Sequence, residues 1–243
     1  MSVSVDLPTP ARALAIGAHP DDIEFGAGAT LAKWAADGCT VSLLVCTDGS
    51  KGSWDPDAAP AELAATRQRE QADAARVLGA TGDIVFLGWT DGELESGLRQ
   101  RVQITAAIRR LRPDIVLGHD PWTRYRLHPD HHHAGLLAVE GIVAARDPHF
   151  FPEIALAHHR PDGLLLFEAE EPDHVESSRG HEMAKLAALE AHASQFESTM
   201  SVTGADDGSE LAAFRERELE RLREHGARAG FDLGEAFKHI HDL

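Results

Sequence analysis

The residues best suited to chemistry fall in two short clusters, His19-Pro20-Asp21-Asp22 near the N-terminus and His128-Pro129-Asp130-His131 far downstream. Imidazole and carboxylate are ordinary ligands of a divalent ion such as zinc, and a carboxylate left beside such a site is placed to take a proton. His19 and Asp22 are three positions apart, so a strand-end residue and a helix-start residue can point at one centre. Asp21 is then left over as a general base. The competing reading is helix capping, since one Asp before a helix often caps it and favours its dipole. Capping explains one carboxylate and leaves His19 and the second carboxylate unexplained.

The second cluster closes a loop of about twelve residues that starts at His119, and it runs on into His132 and His133. Those last two fit a solvated patch. His128-Pro129-Asp130-His131 again stands between a strand and a helix, as the first cluster does.

Positioning both clusters requires a scaffold, and the hydrophobic pattern supplies one. Apolar runs at Ala13–Ala18, Thr40–Cys46, Asp83–Leu87, Asp114–Leu117 and Leu164–Phe167 read as buried strands. Helical patterns lie between them, at Asp22–Asp37, Pro60–Leu78, Gly97–Leu111 and His131–Ala145, with Gly38 and Gly79 as stops. Helices at Gly180–Ser194 and Ser209–Gly226 follow, separated by a surface loop, Ser198–Ser209. The alternation predicts an α/β, Rossmann-like parallel sheet of about five strands with helices on both faces and a helical C-terminal extension. Residues 1–243 are read as a single domain.

In the simplest doubly wound order, 3-2-1-4-5, the first and fourth strands are neighbours, and ligands bind outside their carboxyl ends. The two clusters follow those two strands. His19, Asp22 and one histidine of the second cluster would then supply the three protein ligands of a catalytic zinc site. Gly26-Ala27-Gly28 resembles the start of a dinucleotide fingerprint, but position 31 is Leu31 and the glycines fall inside a helix. Close helix-to-sheet packing explains them better.

Composition bounds the partners. Apolar residues are 43% of the 243, enough for a packed core. The formal net charge of −17 disfavours nucleic acid, whose phosphates it would repel. No run approaches the roughly 18 apolar residues of a membrane span, and no basic-then-apolar leader opens the chain. The reading is a cytoplasmic protein acting on a small molecule, without a nucleic-acid or membrane partner. A homo-oligomer is compatible with it. Cys39 and Cys46 sit at the two ends of one strand, too far apart to bridge, and are expected to be free thiols.

With those residues in view, the chain resembles the PIG-L/LmbE-like deacetylases, zinc enzymes that remove acetyl groups from N-acetylated sugars. The likeness runs from the first strand to Ala191-His192-Ala193-Ser194-Gln195. The family's first motif, His-Pro-Asp-Asp-Glu, reads here as His19-Pro20-Asp21-Asp22-Ile23-Glu24, with Ile23 in place of the acid. The second, His-Pro-Asp-His, is intact at His128–His131. The resemblance implies one zinc ion per chain on His19, Asp22 and His131, and Asp21 as general base. It implies His128, as imidazolium, at the oxyanion or leaving group and Asp130 orienting a histidine. Arg67 and Asp91 fall where related enzymes place substrate-binding groups. Arg126 stands where a relative can carry a Tyr, and is the third substrate-facing candidate.

Two other functions compete. A zinc amidase would cut a larger thiol-conjugate or other non-acetyl amide, with Thr47–Ala59 and Arg146–Pro161 setting specificity. A non-catalytic sugar- or nucleotide-binding domain would keep the fold without the metal. Helix-surface pairing with Glu70 is the alternative role for Arg67.

Overall fold

The computed structural model describes residues 3–243. Its centre is one sheet of eight strands in the order β1-β7-β8-β6-β5-β2-β3-β4. The strands are β1 (Ser4–Val5), β2 (Arg12–Gly17), β3 (Thr40–Thr47), β4 (Ile84–Trp89), β5 (Ile115–His119), β6 (Gly163–Phe167), β7 (His174–Ser177) and β8 (Gly234–His241). The helices are α1 (Asp22–Ala36), α2 (Pro60–Val77), α3 (Leu98–Leu111), α4 (Pro129–Arg146), α5 (Glu182–Glu190) and α6 (Ser209–Ala227).

The five strands visible as apolar runs are β2 to β6, and they pair in parallel in the expected order, β4-β3-β2-β5-β6. Side-chain alternation feeds a core on each face. Ala13 and Ala15 of β2, and Val41, Leu43 and Val45 of β3, pack towards Leu31 and Trp34 of α1 and Ala74 of α2. Leu14, Ile16 and Leu44 pack on the other face with Ile104 and Ile108 of α3 and Leu137 and Ile142 of α4.

The sheet has eight strands rather than five, and the C-terminal region is not purely helical. After α6 the chain returns as β8, antiparallel to both β6 and β7, and β1 adds in parallel to β7. The apolar-run criterion misses these strands for physical reasons. β1 is two residues long. β7 and β8 carry Glu176 and Glu235 on buried positions, and each is neutralised by a lysine from a helix, Lys33 on Glu176 at 2.6 Å and Lys185 on Glu235 at 2.7 Å.

Gly26 sits where a Cβ would stand 2.4 Å from the Phe167 ring, so α1 lies close on the sheet, the packing role expected of that glycine. Gly135 likewise lets α4 approach the end of β5, since a Cβ there would stand 2.6 Å from the His119 carbonyl. Helix α4 starts earlier than His131, because Pro129 suits the first turn and His128 becomes the N-cap residue. Cys39 and Cys46 are both buried and free. Among the described residues no helix is long and apolar enough to cross a membrane.

Candidate active site

Strands β2 and β5 are hydrogen-bonded neighbours, so the loops leaving their carboxyl ends face each other. His19 leaves β2, Asp22 opens α1, His119 closes β5 and His131 lies in the first turn of α4. His19 Nδ1 is 3.2 Å from His131 Nε2 and 3.3 Å from an Asp22 oxygen. His131 Nε2 is 3.3 Å from the other Asp22 oxygen. On the far side of its ring, His19 Nε2 is 3.2 Å from Asp130 and 3.1 Å from Asp91. Asp130 is fully buried and also accepts the Gly92 and Leu94 backbone N–H groups, at 2.6 and 3.2 Å.

Donor atoms cluster as three overlapping groups able to hold a cation: His19, His128 and His131; His19, Asp91, His128 and Asp130; and Asp22, His119 and His131. The electrostatics suit a cation. Burial works to raise the Asp22 carboxyl, but His131 and His119 beside it hold it well below the usual range. Burial opposes ionisation of Asp91 too, and His19 outweighs it, bringing the carboxyl to about 2. Burial pushes the His131 imidazole down to about 4, which leaves it neutral with a lone pair to offer. Burial lowers His19 also, but Asp130, Asp22 and Asp91 raise it well above its ordinary value. A buried pocket that recruits a proton to balance so many carboxylates is a natural seat for a metal ion.

Asp21 has φ 94°, a left-handed backbone that a non-glycine residue adopts at a cost of roughly 1–3 kcal/mol. Neighbours hold it there. Gln71 accepts its backbone N–H at 3.1 Å, and Arg67 donates to the Pro20 carbonyl at 2.5 Å and to the Asp21 carboxylate at 3.4 Å. The side chain makes no capping bond, so capping does not account for this carboxylate. Burial raises its pKa to about 6 against the pull of Arg67.

His19, Asp21, Asp22, His128 and His131 line one cavity of about 360 Å³, together with Arg67 and Asp91. Arg67 is buried and aimed at Asp21 rather than paired with Glu70, which instead binds Ser194 at 2.6 Å. Arg126 does not line that cavity; it pairs with Glu168 and lies against His131 Nδ1 at 3.1 Å. His128 is partly exposed, and burial together with His19 lowers its pKa, favouring a neutral ring over an imidazolium. His132 and His133 are not idle, since they bind the Pro121 carbonyl at 2.7 Å and the Ser96 N–H at 3.2 Å and so fix the loop.

His119 belongs to neither motif, yet its Nε2 is 3.1 Å from Asp22 and its Nδ1 is 3.3 Å from Glu168. The signal was available, for His119 ends its strand much as His19 follows the neighbouring one. Glu24 and Gln71 likewise carry no role in the sequence motifs. Ile23 goes into the core, and the acid one residue later, Glu24, is buried, accepts Gln71 at 2.6 Å and faces His192 at 3.6 Å.

A family profile described as PIG-L, GlcNAc-PI de-N-acetylase, matches residues 14–142. The chain is 36% identical over 188 residues to the diacetylchitobiose deacetylase of Thermococcus kodakarensis, spanning 76% of this chain and 70% of that protein. It is 34% identical over 174 residues to a 1D-myo-inositol 2-acetamido-2-deoxy-alpha-D-glucopyranoside deacetylase of Streptomyces avermitilis, spanning 61% of this chain and 58% of that one. The solved structure of N,N'-diacetylchitobiose deacetylase from Pyrococcus horikoshii matches with a TM-score of 0.85 at 29% identity, over 95% of this chain and 84% of that one.

Proposed function

The chain belongs to the PIG-L family, and on that premise we propose that it is a zinc-dependent hydrolase removing the acetyl group from an N-acetylated sugar or sugar conjugate. The observation that carries the metal is the spacing of three donors. His19 Nδ1 stands 3.2 Å from His131 Nε2 and 3.3 Å from one Asp22 oxygen, and His131 Nε2 stands 3.3 Å from the other Asp22 oxygen, so a small turn of the carboxylate brings a single oxygen to both rings. Ligands about 2.0–2.1 Å from a tetrahedral zinc stand about 3.3–3.4 Å apart, so little rearrangement is needed. His128 belongs to two of the overlapping groups but is their exposed member, with 44% of its side chain accessible.

A zinc ion held there supplies Lewis-acid chemistry, activating water and polarising the acetyl carbonyl. The protein's own residues do the rest. Asp21, fixed by Gln71 and Arg67, takes the proton of the attacking water. Its burial keeps the carboxylate poorly solvated and therefore basic. His128 reaches into the same cavity and donates a hydrogen bond where negative charge develops on the carbonyl oxygen. Asp130, tied to two backbone N–H groups, holds the His19 ring in place. The proton taken up by Asp21 passes to the amide nitrogen as the C–N bond breaks, and acetate and a free amine leave.

The test is acetate release from a panel of N-acetylglucosamine conjugates, with and without chelator, alongside metal analysis of the purified protein. Stoichiometric zinc and chelator-sensitive release are expected. Release that survives removal of all divalent metal would sink the metal mechanism, and absence of both metal and release would leave a binding domain.

A further inference from the structure

The cavity extends beyond the reacting groups to the loop between β3 and α2, where Trp54 lines it while remaining 74% exposed. The backbone leading to Trp54 is pinned on several sides. The Gly49 carbonyl accepts Arg67 at 3.0 Å, the Lys51 N–H donates to Asp91 at 3.1 Å, and the Gly52 carbonyl accepts Gln195 and Ser198 at 3.2 and 3.1 Å. An indole on so fixed a support is a ready platform, since little ordering remains to be done when a ligand covers it.

The surroundings of that indole define what would cover it. Ser53, Gln195, Ser198 and Thr199 line the cavity beside it, so one large aromatic group sits among hydroxyls and an amide. An acyl chain or aromatic aglycone would need a continuous apolar lining. A sugar ring has an apolar C–H face bounded by hydroxyls, which is the complement of this arrangement. Phosphate is a poor fit. Arg67 is turned to Asp21 and Lys51 has Glu93 beside it at 3.2 Å, while Asp21, Asp22 and Asp91 present negative charge to the cavity.

We propose that Trp54 is the platform for a second, uncharged sugar ring, glycosidically linked to the one that carries the N-acetyl group. This rests on the deacetylase reading and narrows its substrate to a neutral disaccharide or longer glycan.

The test compares wild type, Trp54→Ala and Trp54→Phe on N-acetylglucosamine and on N,N'-diacetylchitobiose. Trp54→Ala should raise KM for the disaccharide about tenfold, equivalent to ~1.4 kcal/mol. It should leave kcat/KM for the monosaccharide within about twofold, as expected of a contact made only by the second ring. Trp54→Phe should recover most of the loss. Equal losses on both sugars, or an unchanged disaccharide KM, overturn the proposal. So does faster turnover of a phosphodiester-linked N-acetylglucosamine that ignores Trp54. Calorimetric titration with chitobiose and glucosamine reads binding without turnover. If no sugar is deacetylated, the functional reading fails, and the titration still decides the subsite by whether Trp54→Ala weakens chitobiose alone.

Discussion

His19 and His131 are 112 residues apart in the chain, yet His19 Nδ1 lies 3.2 Å from His131 Nε2. Their meeting follows from the pairing of β2 with β5, which sets the two loops side by side, and from the early start of α4, which turns His131 inward. Asp22 closes the triangle from the first turn of α1. Nothing local in the sequence creates the site; the strand order does.

The first prediction concerns that triangle. His131→Ala and Asp22→Asn each remove a ligand, so purified variants should hold much less than one equivalent of zinc. Changes in residues that merely support a metal ligand cost about 10–100-fold, so loss of a ligand should cost acetate release at least ~100-fold. Mass-spectrometric metal analysis checks the cause. A variant that retains full zinc and full turnover would remove that residue from the ligand set.

Asp21→Asn tests the base. The amide keeps the size of the side chain, and the Gln71 bond is to the backbone N–H of residue 21, so the fold and the metal should persist. Loss of a positioned general base typically lowers the rate by ~10²–10⁴. The expectation is therefore zinc retained, KM little changed and kcat reduced by that factor. Near wild-type kcat with zinc bound would assign the proton transfer elsewhere.

How much of this was legible beforehand depends on whether a residue's role shows in its own stretch of chain. The pattern reveals β2 to β6 because strands covered on both faces are apolar throughout. It hides β7 and β8 because Glu176 and Glu235 are buried with partners from distant helices, and a paired charge looks like a surface charge in a one-dimensional reading. The two His-Pro-Asp clusters stand out by composition. His119 does not, since a lone strand-end histidine becomes meaningful only beside Asp22. The pairing of Arg126 with Glu168 is hidden in the same way, because its partner lies far along the chain.

Lys185 and Glu235 make a third prediction. Helix α1 is broken at Ala27, with φ −148°, so part of its hydrogen-bond ladder needs outside partners. Glu235 accepts the Ala29 and Thr30 N–H groups at 3.1 and 2.7 Å, and Lys185 donates to the Phe25 carbonyl at 2.6 Å and to Glu235 at 2.7 Å. Lys185→Met strands a buried carboxylate and should lower unfolding free energy by ~3–5 kcal/mol. The double variant with Glu235→Leu should not recover it, because the two N–H groups then lose their acceptor. Denaturant unfolding of the three proteins decides this, and full recovery in the double variant would mean that the pair does not repair the helix.

The last prediction follows from the neighbour of that pair. His225 on α6 shares a cavity with Lys185 of α5, Glu235 of β8 and Arg221 of its own helix, and Arg228 just past that helix adds a further positive charge. Burial first, then Lys185, pushes its pKa down to about 4, with Glu235 opposing. The unfolded chain, with an ordinary histidine value near 6.5, therefore binds more protons than the folded one between about pH 4 and 6.5. His225 thus costs no stability above pH 6.5 and progressively more as pH falls towards 4. Replacing it by Gln removes this titration. Measured at fixed metal, the fall in Tm between pH 7 and pH 5 should be smaller in His225→Gln than in wild type, by about 2–4 °C if the term is near ~1 kcal/mol. The difference between the two curves isolates His225 from every other titrating group. Parallel curves over that range would show that His225 is as easily protonated in the folded protein as in the unfolded chain.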